Sequence, residues 1–331
     1  MSATYQEPVR VLISGAGTAT CQGVVKALRL VNDSHPTKIH VMDMEPLSAG
    51  RFMADRFHLV PRAEDPGFFE AVCSIVKSQK IELLIPIVDY EFGALAEGTD
   101  HLATLGCEVA IAPPDAVRRC LDKIRTRQLF LECGLATPPT IPLERYAEWS
   151  EGFPVIVKPI EGRGSVDVNR LENGSEVARL NDARPAGTML LQNYVEGREV
   201  TVDFITDRAG QLLGYVPRYR LEVKSGVSYK GKTLHNQAIG EAVAKIVAAL
   251  DYRGPGNLQY METDQDPVFI EINPRFSGAL PLTVAAGLNG PALLVDLVRG
   301  LKVTARPGSD FQAGLLMTRY WEEIFIDEDN L

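Results

Sequence analysis

The stretch Phe269-Ile-Glu-Ile-Asn-Pro-Arg275 does most to decide how this chain folds. Alternate residues of a β-strand share one face of a sheet, so Glu271, Asn273 and Arg275 should project together while the two isoleucines point into the core. Gln259 lies on the preceding strand, which should pair with this one as a hairpin. One carboxylate with two amide carbonyls suits Mg²⁺ shared with substrate phosphates. A solvated polar strand face is an equally weighted alternative.

A second informative region is Pro154-Val-Ile-Val-Lys-Pro159 and the loop that follows it. Lys158 ends an apolar strand, and nearby glycines allow backbone N–H groups to converge on an anion. The loop residues with this potential are Gly162, Arg163, Gly164 and Ser165. The spacing is not that of a P-loop. An ordinary polar turn beside a lysine that extends into solvent is the alternative.

Two further segments are open to more than one interpretation. Leu191-Gln-Asn-Tyr-Val-Glu-Gly-Arg-Glu199 predicts a strand and crossover that could offer an edge to adenine and a carboxylate to ribose, or a simple strand-turn-strand. Gly15-Ala-Gly17 follows a strand and opens a helix, with Asp43 at the end of the next strand. Because Thr20 stands at the third position of the dinucleotide fingerprint, a packing or substrate-side role is favoured over NAD binding.

Composition narrows the class of protein. The 331 residues are 45% hydrophobic with a net charge of −9, which excludes general disorder. Lysine and arginine total 34 against 43 acidic residues, so a dedicated nucleic-acid binder is not expected. No apolar run reaches the length of a membrane span. Five cysteines without a CxxC spacing indicate free thiols in a reducing cytoplasm, and the five histidines show no metal-ligand spacing.

The sequence predicts an α/β part followed by an α+β part. Strands at 9–14, 39–43, 81–85 and 108–111 alternate with helices at 68–77 and 92–105, which predicts a parallel sheet. Pro113-Pro114 marks a boundary, and one helix is expected over 115–133. Hairpins around 200–216 and 256–273 and a helix over 236–250 follow. The predicted domains are 1–112 and 113–331, with a lid subdomain at about 140–195.

These motifs, in this order, resemble the ATP-grasp superfamily, and within it the branch like the carbamoyl-phosphate synthase large subunit. The matching elements are Asp122-Lys123, Lys158, Gly162 to Ser165, Leu191 to Glu199, Arg218-Tyr-Arg220, Gln259 and Glu271 to Arg275. The resemblance covers roughly residues 113 to 300. It implies a Rossmann-like N-terminal domain, which is the weaker match, followed by a two-part ATP-grasp domain.

The resemblance also implies a role for each matching residue. The nucleotide, ATP, would be bound by Lys123, Lys158, Gly162, Arg163, Gly164, Ser165, Gln192, Asn193, Tyr194, Val195 and Glu199. Magnesium, or manganese in its place, would be held by Gln259, Glu271 and Asn273. Arg275, Lys158 and Arg220 would act in catalysis or substrate binding, with Arg218 a further candidate for a substrate anion. Asn193 departs from the glutamate that the family often has there, and Gln259 is neutral where many members carry an acid.

We therefore expect an ATP-dependent ligase that activates a carboxylate as an acyl phosphate for attack by an amine or a thiol. Phosphorylation of bicarbonate or carbamate is one alternative, and an NAD-dependent dehydrogenase using Gly15 and Gly17 is another. A nucleotide-binding subunit without activity is less favoured, because Glu271, Asn273 and both lysines are present. Partners should be small molecules, without nucleic acid or membrane. The sequence leaves the substrates open, and it allows a homodimer without establishing one.

Overall fold

The N-terminal part of the chain folds around a parallel sheet. This computed structural model describes residues 7–162, 164, 166–224, 226–305 and 310–327. In that part of the chain the first sheet contains β1 (Val9–Ser14), β2 (Thr37–Asp43), β3 (Arg56–Leu59), β4 (Leu83–Ile85) and β5 (Glu108–Val109). Their order is β3-β2-β1-β4-β5, and every pair is parallel. The accompanying helices are α1 (Ala19–Leu30), α2 (Phe68–Gln79), α3 (Phe92–Glu97) and α4 (Thr99–Thr104). The predicted α/β layout is confirmed.

Two predicted helices are each broken into two. The helix expected over 92–105 is interrupted at Gly98, where a Cβ would lie 2.1 Å from the Phe69 ring. The helix expected over 115–133 divides into α5 (Pro114–Leu121) and α6 (Lys123–Glu132). Asp122 between them is extended, and its carboxylate accepts from the backbone N–H groups at the start of α6. This N-cap starts a new helix, so Lys123 is the first residue of α6 and does not continue the turns of α5.

A small antiparallel sheet occupies the middle of the chain. It is formed by β6 (Thr140–Pro142), β7 (Val155–Pro159), β8 (Asn169–Leu171) and β9 (Met189–Asn193), in the order β6-β9-β7-β8, with helix α7 (Gly174–Asp182) beside it. Its inward residues form their own apolar cluster, which contains Leu143, Val155, Val157, Val177, Met189 and Leu191. The alternation in β7 sends Val155 and Val157 into this cluster. The small sheet therefore has a core of its own.

A large antiparallel sheet follows. Its strands are β10 (Arg198–Thr206), β11 (Leu212–Lys224), β12 (Val227–Thr233), β13 (Gly254–Glu262), β14 (Val268–Asn273) and β15 (Leu316–Thr318). They are ordered β14-β13-β10-β11-β12-β15. Three helices accompany it, α8 (Gln237–Leu250), α9 (Leu280–Ala285) and α10 (Gly290–Val298). The two hairpins predicted from sequence, β10–β11 and β13–β14, are confirmed with Gln259 directly opposite Glu271.

Two apolar clusters connect the N-terminal sheet to the rest of the chain. One joins Leu12 and Phe68 to residues of the large sheet such as Leu258. The other joins β1 and α1 to Phe276, Leu280 and Leu294. Within it α1 packs against α9 and α10. The N-terminal sheet is therefore packed onto the C-terminal helices, while the boundary at residue 112 stays a prediction.

No helix in the part of the chain that the structure describes combines the length and apolarity needed to cross a bilayer.

Candidate active site

One face of the large sheet is polar, and the other is packed into the core. Residues directly opposite each other on antiparallel strands share a face. Gln259 opposes both Glu271 and Thr201, and Thr201 in turn opposes Arg218. We call the face that they share the polar face; its members are Glu199, Thr201, Asp203, Arg218, Arg220, Asn257, Gln259, Glu271 and Asn273. The residues that alternate with them, such as Val200 and Leu258, are fully buried.

The polar face forms the floor of a cavity of about 710 Å³. All three sheets contribute to its walls: the N-terminal sheet through the segment after β4, the small sheet through Lys158, and the large sheet through its polar face. The volume lies within the range of small-molecule and cofactor sites, which is roughly 300–1,000 Å³. Residues that are far apart in sequence therefore converge on one concave site.

The predicted inward position of Ile270 is wrong. The register shifts between Gln259 and Tyr260, so Tyr260 pairs with Phe269 and Ile270 is skipped as a bulge. Phe269 is buried against the core, while Ile270 lines the cavity. A bulge redirects side chains locally. Because the register is regular again at Glu271, the polar residues that follow still face the cavity.

The three predicted magnesium ligands lie together. Asn273 Nδ2 lies 3.3 Å from Glu271 Oε1, and the amide end of Gln259 lies 3.1 Å from the same carboxylate oxygen and 3.2 Å from Glu199 Oε1. With its nitrogen on that side, Gln259 donates to both carboxylates. With its oxygen there, three oxygens converge without a proton between them, and a cation would be needed to hold them. A hard-oxygen set of this kind fits Mg²⁺.

The predicted metal ligands are two amide side chains, Gln259 and Asn273, and one carboxylate, Glu271. Among the described residues, no group of three or more His, Cys, Asp or Glu side chains is arranged to hold a metal ion. A site of low negative charge suits a metal that also binds substrate phosphates, since those phosphates supply the missing charge.

Two lysines reach the cavity from different elements. Lys158 is only 6% exposed, and among the described residues its ammonium has no hydrogen-bond partner. Burial lowers the pKa of Lys158 to about 8, with the Glu271 carboxylate opposing this shift and Lys123 adding to it. Lys123 Nζ donates to the carbonyl oxygens of Gly162, at 2.9 Å, and Ile160. Neither lysine forms an ion pair with a carboxylate in the part of the chain that the structure describes.

The arginines of the polar face are paired. Arg218 is 1% exposed, and its guanidinium lies 2.8 Å from Asp203 Oδ2 and donates to Ser277 Oγ at 2.6 Å. Thr283 Oγ1 also donates to Asp203. Arg218 lines the cavity, so its role toward a substrate anion stays a prediction, although Asp203 already pairs with its guanidinium. Arg220, two residues further along the same strand, also has a carboxylate partner.

Arg220 contacts Glu199, the residue predicted to bind ribose. The two side chains form an ion pair, and Arg220 Nη2 also donates to the carbonyl oxygen of Gly226 at 2.9 Å. Both residues line the cavity. The structure thus brings Arg220 to the predicted site, but with its charge engaged by a carboxylate.

Arg275 also lines the cavity and has a carboxylate partner that sequence reasoning missed. Its Nε donates to Asp89 Oδ1 at 2.8 Å, and its Nη1 donates to the carbonyl oxygen of Phe276. Asp89 follows β4 in the N-terminal sheet. The only available signal was its place just beyond the carboxyl end of a parallel strand, where α/β sheets bind ligands.

The predicted phosphate loop approaches a hairpin turn of the large sheet. Gly162 and Gly164 line the cavity, whereas Arg163 and Ser165 lie outside the described residues. Gly164 has a φ of +64°, and the turn residue Gly226 approaches it so closely that a Cβ on Gly226 would lie 2.6 Å from its Cα. Glycine is required at 226 because no side chain fits between the two backbones.

The predicted adenine segment lies along the same cavity. Gln192, Asn193, Tyr194 and Val195 all line it. The Gln192 side chain donates to Thr140 Oγ1 at 2.9 Å, and the backbone N–H groups of Asn193 and Tyr194 donate to carbonyl oxygens within the small sheet. Among the described residues the N–H of Val195 has no partner. That N–H is therefore the donor which remains for a ligand at this edge.

The N-terminal turn at Gly15 to Gly17 is hydrogen-bonded to a nearby carboxylate of the same sheet. The N–H of Gly17 donates to Asp43 Oδ2 at 2.8 Å, and Glu45 donates to the other oxygen of the same carboxylate. Asp43 therefore holds its own turn, whereas a dinucleotide site needs this acid for ribose. Thr18 and Thr20, at the start of α1, line the main cavity instead. These contacts favour a substrate-side role for the turn over NAD binding.

Solved structures identify the fold. The biotin carboxylase domain of 2-oxoglutarate carboxylase from Hydrogenobacter thermophilus, solved with MgADP and bicarbonate, superposes with a TM-score of 0.72 at 18% identity, covering 94% of this chain and 74% of that one. N5-carboxyaminoimidazole synthetase from Staphylococcus aureus, solved with ADP, gives 0.72 at 15% identity, covering 89% and 78%. The architecture, a Rossmann-like sheet followed by two antiparallel sheets, is that of these enzymes.

Family models then identify the class of protein. Residues 186–318 match the model described as ATP-grasp in the biosynthetic pathway with Ter operon, and residues 11–110 match a PylC-like N-terminal domain. The resemblance predicted from the motifs is confirmed: residues 186–318 belong to the ATP-grasp superfamily and follow a PylC-like domain.

Curated relatives point the same way. Carbamoyl-phosphate synthase of Methanobrevibacter smithii is 25% identical over 277 residues, covering 75% of this chain and 71% of the relative. D-alanine–D-alanine ligase of Aromatoleum aromaticum is 27% identical over 212 residues, covering 55% and 67%. The carbamoyl phosphate synthase large chain of Caldanaerobacter subterraneus is 30% identical over 165 residues. These residues cover 46% of this chain but only 15% of the relative. None of these proteins is a dehydrogenase, so that alternative has no support.

Proposed function

We propose that this protein is an ATP-dependent ligase. It transfers the γ-phosphoryl group of ATP to a substrate carboxylate, and an amine or thiol then attacks the acyl phosphate, releasing ADP and phosphate. The observation that carries the proposal is the buried Lys158 ammonium, which has no carboxylate partner among the described residues and interacts electrostatically with Glu271 of the hard-oxygen set. Burying an uncompensated ammonium is costly, and an incoming phosphate would compensate it.

The nucleotide lies, in this proposal, between the small and large sheets. Lys123, Lys158 and the loop at Gly162 to Ser165 contact its phosphates, and the segment from Gln192 to Val195 borders the adenine. The N–H of Val195 supports this placement, since among the described residues it donates to no other group. Glu199 binds the ribose with the oxygen that its pair with Arg220 leaves available. The presence of ADP in two solved structures of the same fold also supports a nucleotide as the ligand.

Gln259, Glu271 and Asn273 would hold magnesium, or manganese in its place. When bound, the ion neutralises charge on the β- and γ-phosphates. Glu271 would supply the carboxylate of the set, and the two amides would supply neutral oxygens. Asn273 Nδ2 donates to Asn257 Oδ1 at 3.2 Å and to Glu271 Oε1 at 3.3 Å, so the Asn273 amide would turn over when its carbonyl oxygen joins the set.

The chain's own residues contribute position and charge. Lys158 and Lys123 draw the phosphates to one end of the polar face, and Arg275 steadies the phosphoryl group as it moves to the carboxylate oxygen. Positive groups placed where charge develops lower the barrier without a covalent enzyme intermediate. No side-chain nucleophile is required, and the carboxylate and amine need only be held in line.

The three sheets correspond, in this proposal, to a Rossmann-like domain over 1–112 and an ATP-grasp domain over 113–331 with a lid at about 140–195. The separate apolar cluster of the small sheet supports its movement as a lid. Small-molecule acids and amines are the proposed partners. The cytoplasm is the proposed location, and the free state of all five cysteines supports it. Light scattering would distinguish a monomer from the homodimer that the proposal allows.

Phosphorylation of bicarbonate or carbamate is the second candidate. The alignment with a carbamoyl-phosphate synthase over 75% of this chain favours it. It uses the same nucleotide site and differs only in the acid, so bicarbonate belongs in every substrate screen beside organic acids. ADP release that depends on bicarbonate and ammonia, with no amino acid present, would select this candidate.

The reaction type is tested by its products. The protein is incubated with ATP, Mg²⁺, hydroxylamine and a panel of amino acids. We expect ADP and phosphate, together with a hydroxamate that forms only with the true acid substrate. AMP and pyrophosphate would contradict the proposal, because donors gathered around the terminal phosphate do not serve adenylation. Titration with NAD serves as the control and should give no binding.

The metal assignment is tested by Glu271→Gln. This change removes the carboxylate of the proposed set at nearly constant size, so turnover should fall by more than about 100-fold, the upper end of what loss of an outer-shell partner costs. The matched control is Asp264→Asn, which removes an exposed carboxylate in the β13–β14 turn. Normal turnover by Glu271→Gln would refute the metal site.

A further inference from the structure

The N-terminal sheet contributes a charged group to the opposite side of the cavity. Asp89 begins a single 3-10 turn that follows β4, and Arg275 follows β14 of the large sheet. They are 186 positions apart in sequence, yet Arg275 Nε donates to Asp89 Oδ1 at 2.8 Å. The two side chains are 11% and 18% exposed, so the contact is largely shielded from solvent. An ion pair this shielded is stronger than an exposed one.

Two of the three guanidinium nitrogens of Arg275 are held by hydrogen bonds. Arg275 Nε is engaged by Asp89, and Nη1 donates to the carbonyl oxygen of Phe276 at 3.2 Å. The backbone is fixed as well, because Asn257 Nδ2 donates to the Arg275 carbonyl oxygen at 2.9 Å. Among the described residues Nη2 has no partner. A planar guanidinium held at two of its three nitrogens has its remaining donors aimed in a set direction.

We propose that Asp89 is a positioning residue that orients Arg275 toward the transferred phosphoryl group. The inference rests on the proposed function, and it assigns the N-terminal domain a part in the phosphoryl-transfer site itself. Asp89 acts through Arg275 and not by contacting phosphate, since two anions would repel each other. An arginine that is free to rotate would sample many directions, and a displacement of about 1 Å at a reacting group can cost roughly 100-fold in rate.

A second ion pair between the same parts of the chain provides a matched control. Arg208 Nε donates to Glu108 Oε1 at 2.8 Å, linking β5 of the N-terminal sheet to the β10–β11 turn. Both residues line a separate groove. Removing this pair tests whether any contact between the two parts of the chain has the same effect as Asp89.

The experiment uses MgADP and aluminium fluoride, which together mimic a phosphoryl group in transfer and need no knowledge of the acid substrate. Transition-state mimics report interactions made during transfer, whereas MgADP alone reports ground-state binding. Asp89→Asn keeps an acceptor oxygen and removes the charge. We expect its affinity for MgADP to be unchanged and its affinity for aluminium fluoride in the presence of MgADP to fall by about 10- to 100-fold.

A double variant tests whether Asp89 acts through Arg275. Arg275→Ala should weaken aluminium fluoride binding at least as much as Asp89→Asn, and adding Asp89→Asn to Arg275→Ala should cause no further loss. Glu108→Gln should bind both probes as the original protein does. Independent, additive losses would overturn the proposal, and so would wild-type binding by Asp89→Asn.

These measurements distinguish a failure of the proposed function from a failure of the positioning role of Asp89. If Arg275→Ala binds aluminium fluoride normally, the proposed role of Arg275 in phosphoryl transfer fails, whatever Asp89 does. If Arg275→Ala is weakened while Asp89→Asn matches Glu108→Gln, the proposed function stands and the positioning role of Asp89 fails. Thermal unfolding of each variant shows whether it is folded, so a loss of binding can be assigned to the site.

Discussion

Lys158 and Arg218 are two buried cations that line one cavity, yet their surroundings differ in one respect. Arg218 extends from the floor of the cavity and is paired with Asp203, and the hydroxyl groups of Ser277 and Thr283 also bond to this pair. Lys158 extends from the small sheet, and no described carboxylate is within hydrogen-bonding distance of it. Burial lowers its pKa to about 8. The difference supports the proposal that Lys158 binds a ligand, whereas Asp203 already compensates the charge of Arg218.

Two buried acidic residues, Asp203 and Glu91, differ in the same respect. Asp203 has Arg218 as its partner, whereas Glu91 is buried in the N-terminal part and has no cationic partner among the described residues. Burial raises the pKa of Glu91 to about 8, opposed by its hydrogen bond with Ser14 and supported by Asp43. A buried group without a countercharge is stable only in its neutral form. The four predictions below test this contrast between compensated and uncompensated groups.

Asp203→Ala should have the largest effect on stability. It leaves the Arg218 guanidinium buried without its carboxylate, which typically costs about 3–5 kcal/mol. Denaturant unfolding at pH 7 would measure the loss. The control is Glu148→Ala, which breaks an exposed pair with Arg145 and should leave unfolding unchanged. A small effect of Asp203→Ala would show that Arg218 is solvated through the cavity.

Glu91→Gln should stabilise the protein in a pH-dependent way. The folded protein holds a proton on Glu91 up to about pH 8, while the unfolded chain releases it near 4.5. The contribution of Glu91 to stability is therefore greatest below pH 4.5 and falls as the pH rises to about 8. Glutamine does not titrate, so the advantage of the variant should grow across that window to a few kcal/mol. Glu241→Gln, at an exposed site, should show no such trend.

Lys158→Met should stabilise the free protein and weaken nucleotide binding. Methionine keeps the apolar contacts and removes an ammonium whose pKa burial lowers from 10.5 to about 8. That shift corresponds to about 3 kcal/mol at most, so a gain of about 1–3 kcal/mol is expected at pH 7. MgADP affinity by calorimetry should fall about tenfold or more. A loss of stability would place Lys158 with Arg218 as a structural cation, and exposed Lys77→Met is the control.

Proton uptake on nucleotide binding should be the smallest effect. Phosphate contact raises the pKa of Lys158 above its free value of about 8, so binding at pH 8.5 should take up roughly 0.7 proton. Calorimetry in two buffers of different ionisation enthalpy would measure it. At pH 6.5 the lysine is already charged and its uptake should vanish. Equal uptake by Lys158→Met would assign the proton to another group.

The sequence predicted the pattern of the site better than its pairings. Alternation in the strand that carries Glu271 placed it correctly on a face with Asn273 and opposite Gln259, because period-2 alternation depends only on local backbone geometry. The bulge at Ile270 was missed, since nothing local distinguishes a skipped residue from a paired one. The partners of Arg218 and Arg275 were also missed. Those contacts join distant segments, and a single sequence does not reveal them.

Element boundaries show the same limit. Strand β3, Arg56–Leu59, was not predicted because its residues are partly exposed and carry no clear alternation. The helix break at Asp122 was missed although aspartate is a strong N-cap, since the apolar periodicity continues through it. The parallel sheet and both hairpins were predicted because several independent signals agreed on them.

The packing of α1 against α9 and α10 has a consequence for dissecting the molecule. A Cβ on Gly23 would lie 3.2 Å from Pro281, and Asn289 Nδ2 donates to the Ala27 carbonyl oxygen at 2.9 Å. The piece 11–110, though recognisable by itself, would expose the apolar surface that Phe276 and Leu280 cover if it were excised. The family match and the apolar core thus divide this molecule differently, because the part that one family model covers shares its interior with helices close to residue 290.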